Sequence, residues 1–218
     1  MSPRAVFFDF DGVIADTENV HVAAWERTFG AMGWDVAPEV CARAAEVDDR
    51  AFLAELFARR AIPDGDVDGW VRRKQKLALE MLSDAPRLYA GVADLVARLR
   101  GRARLAVVST TWRENIDVAL RSSALADAFE LIVAKEDVRV PKPDPECYRL
   151  ALKRLRIDPT EAVALEDSVT GLAAAKGAGL RCLAVGHRLP DEEWTKGAVY
   201  LSDLTNRVAV LRAIGLDP

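Results

Sequence analysis

The chain has 218 residues, half of them hydrophobic, enough to bury a substantial core as one large domain or as one domain with a smaller companion. Its 34 acidic and 30 basic residues leave a net charge of −4 without a long single-sign run, which excludes a nucleic-acid-binding or polybasic membrane surface. Cys41, Cys147 and Cys182 are an odd, scattered set with no Cys-x-x-Cys, so neither a disulfide framework nor a zinc site is expected. No basic-then-apolar leader and no uncharged run of membrane-spanning length is present, and the expectation is a cytoplasmic monomer without nucleic-acid or membrane partners.

In chain order, Arg4-Ala5-Val6-Phe7-Phe8 reads as a strand that ends at Asp9 and Asp11, with Gly12 permitting the turn. Two acids at the carboxyl end of a buried strand are costly to desolvate unless a cation or donors meet them, which points to a metal and phosphate site. The other reading is a pair of solvated turn formers, as Asp-Gly alone would suggest.

From Glu18 to about residue 85 no strand-like run occurs, and apolar residues recur at helical spacing: Phe52, Leu53, Leu56 and Phe57, then Trp70, Val71, Leu77, Met81 and Leu82. Breaks are expected at Pro38, at Ile62-Pro63-Asp64-Gly65 and at Ala85-Pro86. The chain therefore divides into an α/β domain, residues 1–17 and 86–218, and an inserted helical domain, residues 18–85.

Beyond Pro86 helices and strands alternate. Helices are expected over 91–100, 113–120, 146–155 and 171–177. Strands are expected over 105–108, 131–133, 162–165, 182–185 and 199–201. Each strand is a continuous apolar run, the mark of a parallel sheet buried on both faces.

Ligands of such sheets bind outside the carboxyl ends of the strands. Three polar clusters fall there: Asp9 with Asp11, Ser109 with Thr110, and Glu166 with Asp167. A fourth, Val140-Pro141-Lys142-Pro143-Asp144-Pro145, brings Lys142 just ahead of a helix. An acidic cluster suits a hard divalent cation, a Lys and a hydroxyl suit phosphoryl oxygens, and a remaining carboxylate can attack phosphorus. Each piece alone reads as a cap, a turn or a surface charge, and their convergence on one edge favours a phosphate site. Glu166 and Asp167 have no evident cationic neighbour in the sequence and are expected to need a cation to balance them.

Asp9-Phe-Asp11-Gly-Val, the strand ending in Ser109, Lys142 in Lys-Pro-Asp-Pro-Glu, and Glu166-Asp167-Ser168 followed by Gly171 resemble the four motifs of the haloacid dehalogenase superfamily, in order. The helical insertion resembles the small cap of the β-phosphoglucomutase-like and phosphoglycolate phosphatase-like branch. The resemblance implies a Rossmann-like parallel sheet core with an inserted all-helical cap domain. The second acid, Asp11, is similar to the phosphotransferases of the superfamily and unlike the dehalogenases.

The resemblance also implies roles. Asp9 would be the nucleophile and Asp11 the general acid and base. Mg²⁺ would be held by Asp9, the Asp11 backbone carbonyl and Asp167, with Glu166 as a further or water-mediated ligand. Ser109 would bind a phosphoryl oxygen and Lys142 would hold Asp9 ionised, with backbone N–H groups of the Gly12 turn as extra donors. The substrate would be a small phosphorylated metabolite, and Thr110, His21, Trp25, Arg50 and Lys74 are the candidates for binding it. His21 and Trp25, four apart on one helical face, also read as packing residues, and Lys74 as part of a solvated face.

Sugar mutases of this branch carry a Ser-Lys pair after the second motif and an Arg in the first cap loop. Here Trp112 stands where that Lys would be, and the loop reads Ala45-Glu46-Val47-Asp48-Asp49-Arg50. Arg50 or Arg113 would compensate only by a shift of one residue. A phosphatase is therefore expected, with a sugar phosphomutase as the alternative. A non-catalytic binding module and a phosphonate-cleaving enzyme with Lys74 or Lys76 as Schiff base are more distant alternatives.

Overall fold

A computed structural model describes residues 2–44, 47–62, 65–84, 87–187, 195 and 198–218. The chain forms two compact units, one made of Met1–Asp16 with Arg87–Pro218 and the other of Thr17–Pro86. The expected breaks at Pro63-Asp64 and Ala85-Pro86, and Ala45-Glu46 of the first helical loop, lie outside the described residues.

The first unit holds a six-stranded sheet, every pair parallel, in the order β3-β2-β1-β4-β5-β6. Its strands are β1 (Ala5–Phe8), β2 (Arg104–Val108), β3 (Leu131–Val133), β4 (Ala162–Glu166), β5 (Arg181–Val185) and β6 (Val199–Leu201). Every residue of β1 is fully buried, as a strand with partners on both edges and cover on both faces requires. Successive side chains leave a strand on opposite faces. Phe7 accordingly stacks on Tyr148 with centroids 6.3 Å apart, while Phe8 meets Phe129 edge-on at 5.7 Å.

Among the described residues this unit has five α-helices: Val92–Leu99, Arg113–Ser122, Glu146–Leu155, Val169–Gly177 and Arg207–Ile214. The fourth begins two residues before the expected start, because Ser168 accepts a hydrogen bond from the Gly171 N–H at 3.1 Å and caps it. The last was not anticipated. Asn206 caps its start through the Ala209 N–H, and Gly215 ends it in the left-handed region at φ 97°.

The second unit is helical: α1 (Glu18–Ala31), α2 (Pro38–Ala44), α3 (Asp49–Arg59) and α4 (Val67–Asp84). Pro38 takes the first position of α2, where its missing N–H costs nothing. Trp25, Phe29, Phe52, Leu53 and Phe57 form its core, with Trp25 stacked on Phe29 at 5.1 Å and edge-on to Phe52 at 5.4 Å. The three cysteines of the chain are free and buried. Among the described residues no helix is long and apolar enough to cross a membrane.

Candidate active site

Register places the polar groups together. Phe8 lies opposite Val107 on β2 and Leu165 on β4, so the residues that follow these three strands leave the sheet at the same edge. The Asp9 N–H still donates to Leu165 O at 3.0 Å and the Ser109 N–H to Val133 O at 2.9 Å, which extends the ladder one step beyond the strands. The chain then turns sharply, with the N–H groups of Ile14 and Ala15 both donating to Phe10 O. Gly12 serves this turn at φ +80°, and a Cβ there would fall 1.7 Å from Asp167 Oδ2. Only glycine meets both demands. Its N–H donates to Ala15 O at 3.1 Å, which closes the turn.

Lys142 is the hub. Its side chain is 5 % exposed, and its Nζ lies 2.9 Å from Asp9 Oδ1, 2.7 Å from Glu166 Oε1 and 2.9 Å from Val108 O. The ammonium also sits 5.4 Å from the centroid of the Tyr148 ring. Glu166 thus has a cationic neighbour after all, 24 residues away in sequence, and the expectation of an unbalanced acid pair is corrected on that point. Tyr148 donates its hydroxyl to the same Glu166 oxygen at 2.5 Å.

Burial alone would lower the Lys142 pKa, but the carboxylates of Asp9 and Glu166 overturn it and hold the ammonium charged. Burial also pushes Asp9 upward, against the opposing charge of Lys142. Glu166 rises for the same first reason, helped by the charge of Asp9. Asp9, Glu166 and Asp167 bring carboxylate oxygens within 4.8 Å of one another, and the first two are paired with Lys142. Glu166 Oε2 is buried without a hydrogen-bond partner. It fits in its place because residue 171 is glycine, whose Cβ would lie 1.8 Å from that oxygen. Three clustered carboxylates and a buried Glu166 oxygen without a hydrogen-bond partner, all hard donors, fit a divalent cation such as Mg²⁺.

Ser109 is buried and its Oγ accepts from the Thr111 N–H at 3.1 Å. The Thr111 hydroxyl donates to the Asp11 carboxylate. Thr110 between them is exposed. Thr111 and Tyr148 were not singled out in the sequence as site residues. Tyr148 shares the core-facing stripe of its helix with Ala151, Leu152 and Leu155, and only a buried hydroxyl's need for a partner hinted at more.

The remaining candidates occupy the helical unit. Trp25 is fully buried in its core, which is a packing place, with Nε1 donating to Asp49 at 3.2 Å. Lys74 is 3 % exposed and paired with Asp49, not solvated. His21 Nδ1 lies 3.1 Å from Lys74 Nζ. Arg50 turns to Asp68 at 3.0 Å on the surface. In the α/β unit Arg113 is held by Ile132 O and the Asp137 carboxylate, and Trp112 lies under Lys135 with Nζ 4.7 Å from its ring centroid.

The profile of haloacid dehalogenase-like hydrolases matches residues 6–185. The chain belongs to that family. Protein CbbY of Cereibacter sphaeroides is 36 % identical over 194 residues, covering 83 % of each chain. A phosphorylated carbohydrates phosphatase of Thermotoga maritima is 33 % identical over 86 % of this chain and 88 % of its own. The crystal structure of CbbY from Rhodobacter sphaeroides in complex with phosphate superposes with a TM-score of 0.83 at 33 % identity, over 98 % of this chain and all of that one. The same relative has also been solved with xylulose-1,5-bisphosphate.

Proposed function

We propose that this haloacid dehalogenase-like hydrolase is a Mg²⁺-dependent phosphatase that releases phosphate from a small phosphorylated metabolite, a sugar phosphate or similar, through an aspartyl-phosphate on Asp9. The observation that carries the reading is the Lys142 bridge from Asp9 to Glu166 beside Asp167, at the carboxyl edge of a parallel sheet. The names of the relatives, phosphatases of phosphorylated carbohydrates among them, support the same substrate class.

Asp9 attacks phosphorus, kept ionised against its burial by the Lys142 ammonium. Asp11 protonates the leaving oxygen and later takes the proton of the attacking water, with Thr111 orienting its carboxylate. Ser109 and Lys142 bind phosphoryl oxygens and stabilise the charge that develops on them. Asp9, the Asp11 carbonyl and Asp167 would hold the cation, with Glu166 in support. When bound, it screens the repulsion between the Asp9 carboxylate and the phosphate dianion. The helical unit is read as the cap domain, with substrate selection as its task.

The direct test is a screen of phosphorylated metabolites for released phosphate, with Mg²⁺ and with EDTA. Activity is expected to vanish in EDTA. Asp167→Ala should raise the Mg²⁺ requirement more than Glu166→Ala, because one Glu166 oxygen is already engaged by Lys142 and Tyr148. Full activity in EDTA, or on zinc alone, defeats the assignment.

Hydrolysis is favoured over phosphoryl transfer between sugar positions by the cations that are missing or engaged. Trp112 replaces the expected Lys, Arg113 is held by Asp137, and Arg50 is paired with Asp68. Supplied with β-glucose 1-phosphate and a trace of the 1,6-bisphosphate, the enzyme should release free phosphate. Efficient formation of glucose 6-phosphate with little free phosphate would restore the mutase.

A further inference from the structure

Tyr148 has no exposed surface, and its ring is fixed from two sides. It stacks on Phe7 of β1 with centroids 6.3 Å apart, and the Lys142 ammonium lies 5.4 Å from its centroid. Its hydroxyl donates to Glu166 Oε1 at 2.5 Å, the same oxygen that Lys142 Nζ approaches at 2.7 Å. Glu166 Oε2 is buried without a hydrogen-bond partner among the described residues. The backbone of Gly171 backs against the carboxylate, since a Cβ there would lie 1.8 Å from Oε2 and 2.5 Å from Oε1.

A carboxylate oxygen offers about two lone-pair sites, and an ammonium carries three donors. Lys142 directs its donors to Asp9 Oδ1, Val108 O and Glu166 Oε1, so it has no second hydrogen bond to give Glu166. The remaining lone pair of Oε1 is taken by Tyr148, and Oε2 is the Glu166 oxygen left open to a cation. We propose that Tyr148 is a positioning residue for the cation: with Lys142 it saturates Oε1, limits Glu166 to one available oxygen, and so biases the acidic cluster toward Mg²⁺ and against Ca²⁺. The inference rests on the metal-dependent reading above. Mg²⁺ is small and demands octahedral geometry, for which one oxygen per carboxylate suffices, whereas Ca²⁺ takes about six to eight oxygens and accepts a carboxylate that grips through both. Without the phenol donor, Glu166 could turn its second oxygen to the larger ion.

The test is calorimetric binding of Mg²⁺ and of Ca²⁺ to the full chain, without substrate, in the wild type and in Tyr148→Phe. Phenylalanine keeps the ring against Phe7 and Lys142 and removes the donor. The ratio of the Ca²⁺ Kd to the Mg²⁺ Kd should fall about tenfold, the lower end of what loss of a metal ligand's hydrogen-bond partner does. Any change that affects both ions alike cancels in this ratio. In a Glu166→Ala background Tyr148→Phe should leave the ratio unmoved, because its effect passes through Glu166, whereas a merely structural loss would persist there. Where Tyr148→Phe does not fold, the wild type decides by NMR with tyrosine carrying ¹³C at the ζ carbon. The chain has three tyrosines, so Tyr89→Phe and Tyr200→Phe identify the Tyr148 signal. Its hydroxyl proton should stay protected from exchange at saturating Mg²⁺, as donation to Glu166 requires.

An unchanged ratio in Tyr148→Phe, a fall that persists without Glu166, or loss of the Tyr148 hydrogen bond on adding Mg²⁺ overturns the proposal. The two readings fail separately: a wild type that binds neither ion defeats the metal-dependent reading and this one with it, while binding of the ions with any of those three outcomes defeats this one alone.

Discussion

Asp9→Asn should lower turnover by roughly three orders of magnitude or more, the scale on which removal of a catalytic nucleophile acts. The substitution keeps the size of the side chain and removes the attacking charge. It also takes one of three carboxylates out of a cluster whose oxygens lie within 4.8 Å of one another. Without added cation the variant should therefore melt no lower than the wild type, because like charges held in a buried site oppose one another. Phosphate release and thermal unfolding measured on the same preparation separate the two effects. Retention of more than a few per cent of the activity, with the fold intact, would remove Asp9 from the role of nucleophile.

The strands were legible because a parallel sheet covered on both faces demands uninterrupted apolar runs, and Ala5–Phe8 and Ala162–Leu165 are such runs. The edge at which Asp9, Ser109 and Glu166 emerge followed from chain order alone. Side-chain partners were less accessible. Lys142 reaches Glu166, and Lys74 reaches His21 across 53 residues, through packing that no local spacing encodes. Asp49 went unread for that reason: in sequence it is one acid among several in a helix-opening loop, and its meaning comes from the ammonium brought to it by α4. The final helix, Arg207–Ile214, was missed for a different reason. At 8 residues it holds only about two turns of apolar periodicity, too short a run to stand out by spacing. Trp25 shows the converse: the family resemblance made it a candidate substrate contact, while its place in the structure is the aromatic core of its unit.

Lys142→Met should be the most damaging single change in the α/β unit, because it removes one charge that several groups share. Asp9 and Glu166 would remain buried, facing Asp167, with no ammonium between them. Breaking a buried ion pair from one side costs about 3–5 kcal/mol, since the partner's charge is left uncompensated. Two carboxylates lose their partner here, and proton uptake by them would relieve part of the cost at the expense of the nucleophile's charge. Activity should fall by about 10²–10³-fold, the scale of losing a stabiliser of transition-state charge. The decisive comparison is with Mg²⁺. If the cation binds as proposed, it would share the work of neutralisation with Lys142 in the wild type and would carry more of that work in the variant. Added Mg²⁺ should therefore raise the unfolding temperature of Lys142→Met by more than that of the wild type, and the difference should disappear when Asp167→Ala is combined with it. Equal stabilisation of the two proteins by Mg²⁺ would mean that the cation binds away from these acids, and the metal assignment would have to be withdrawn.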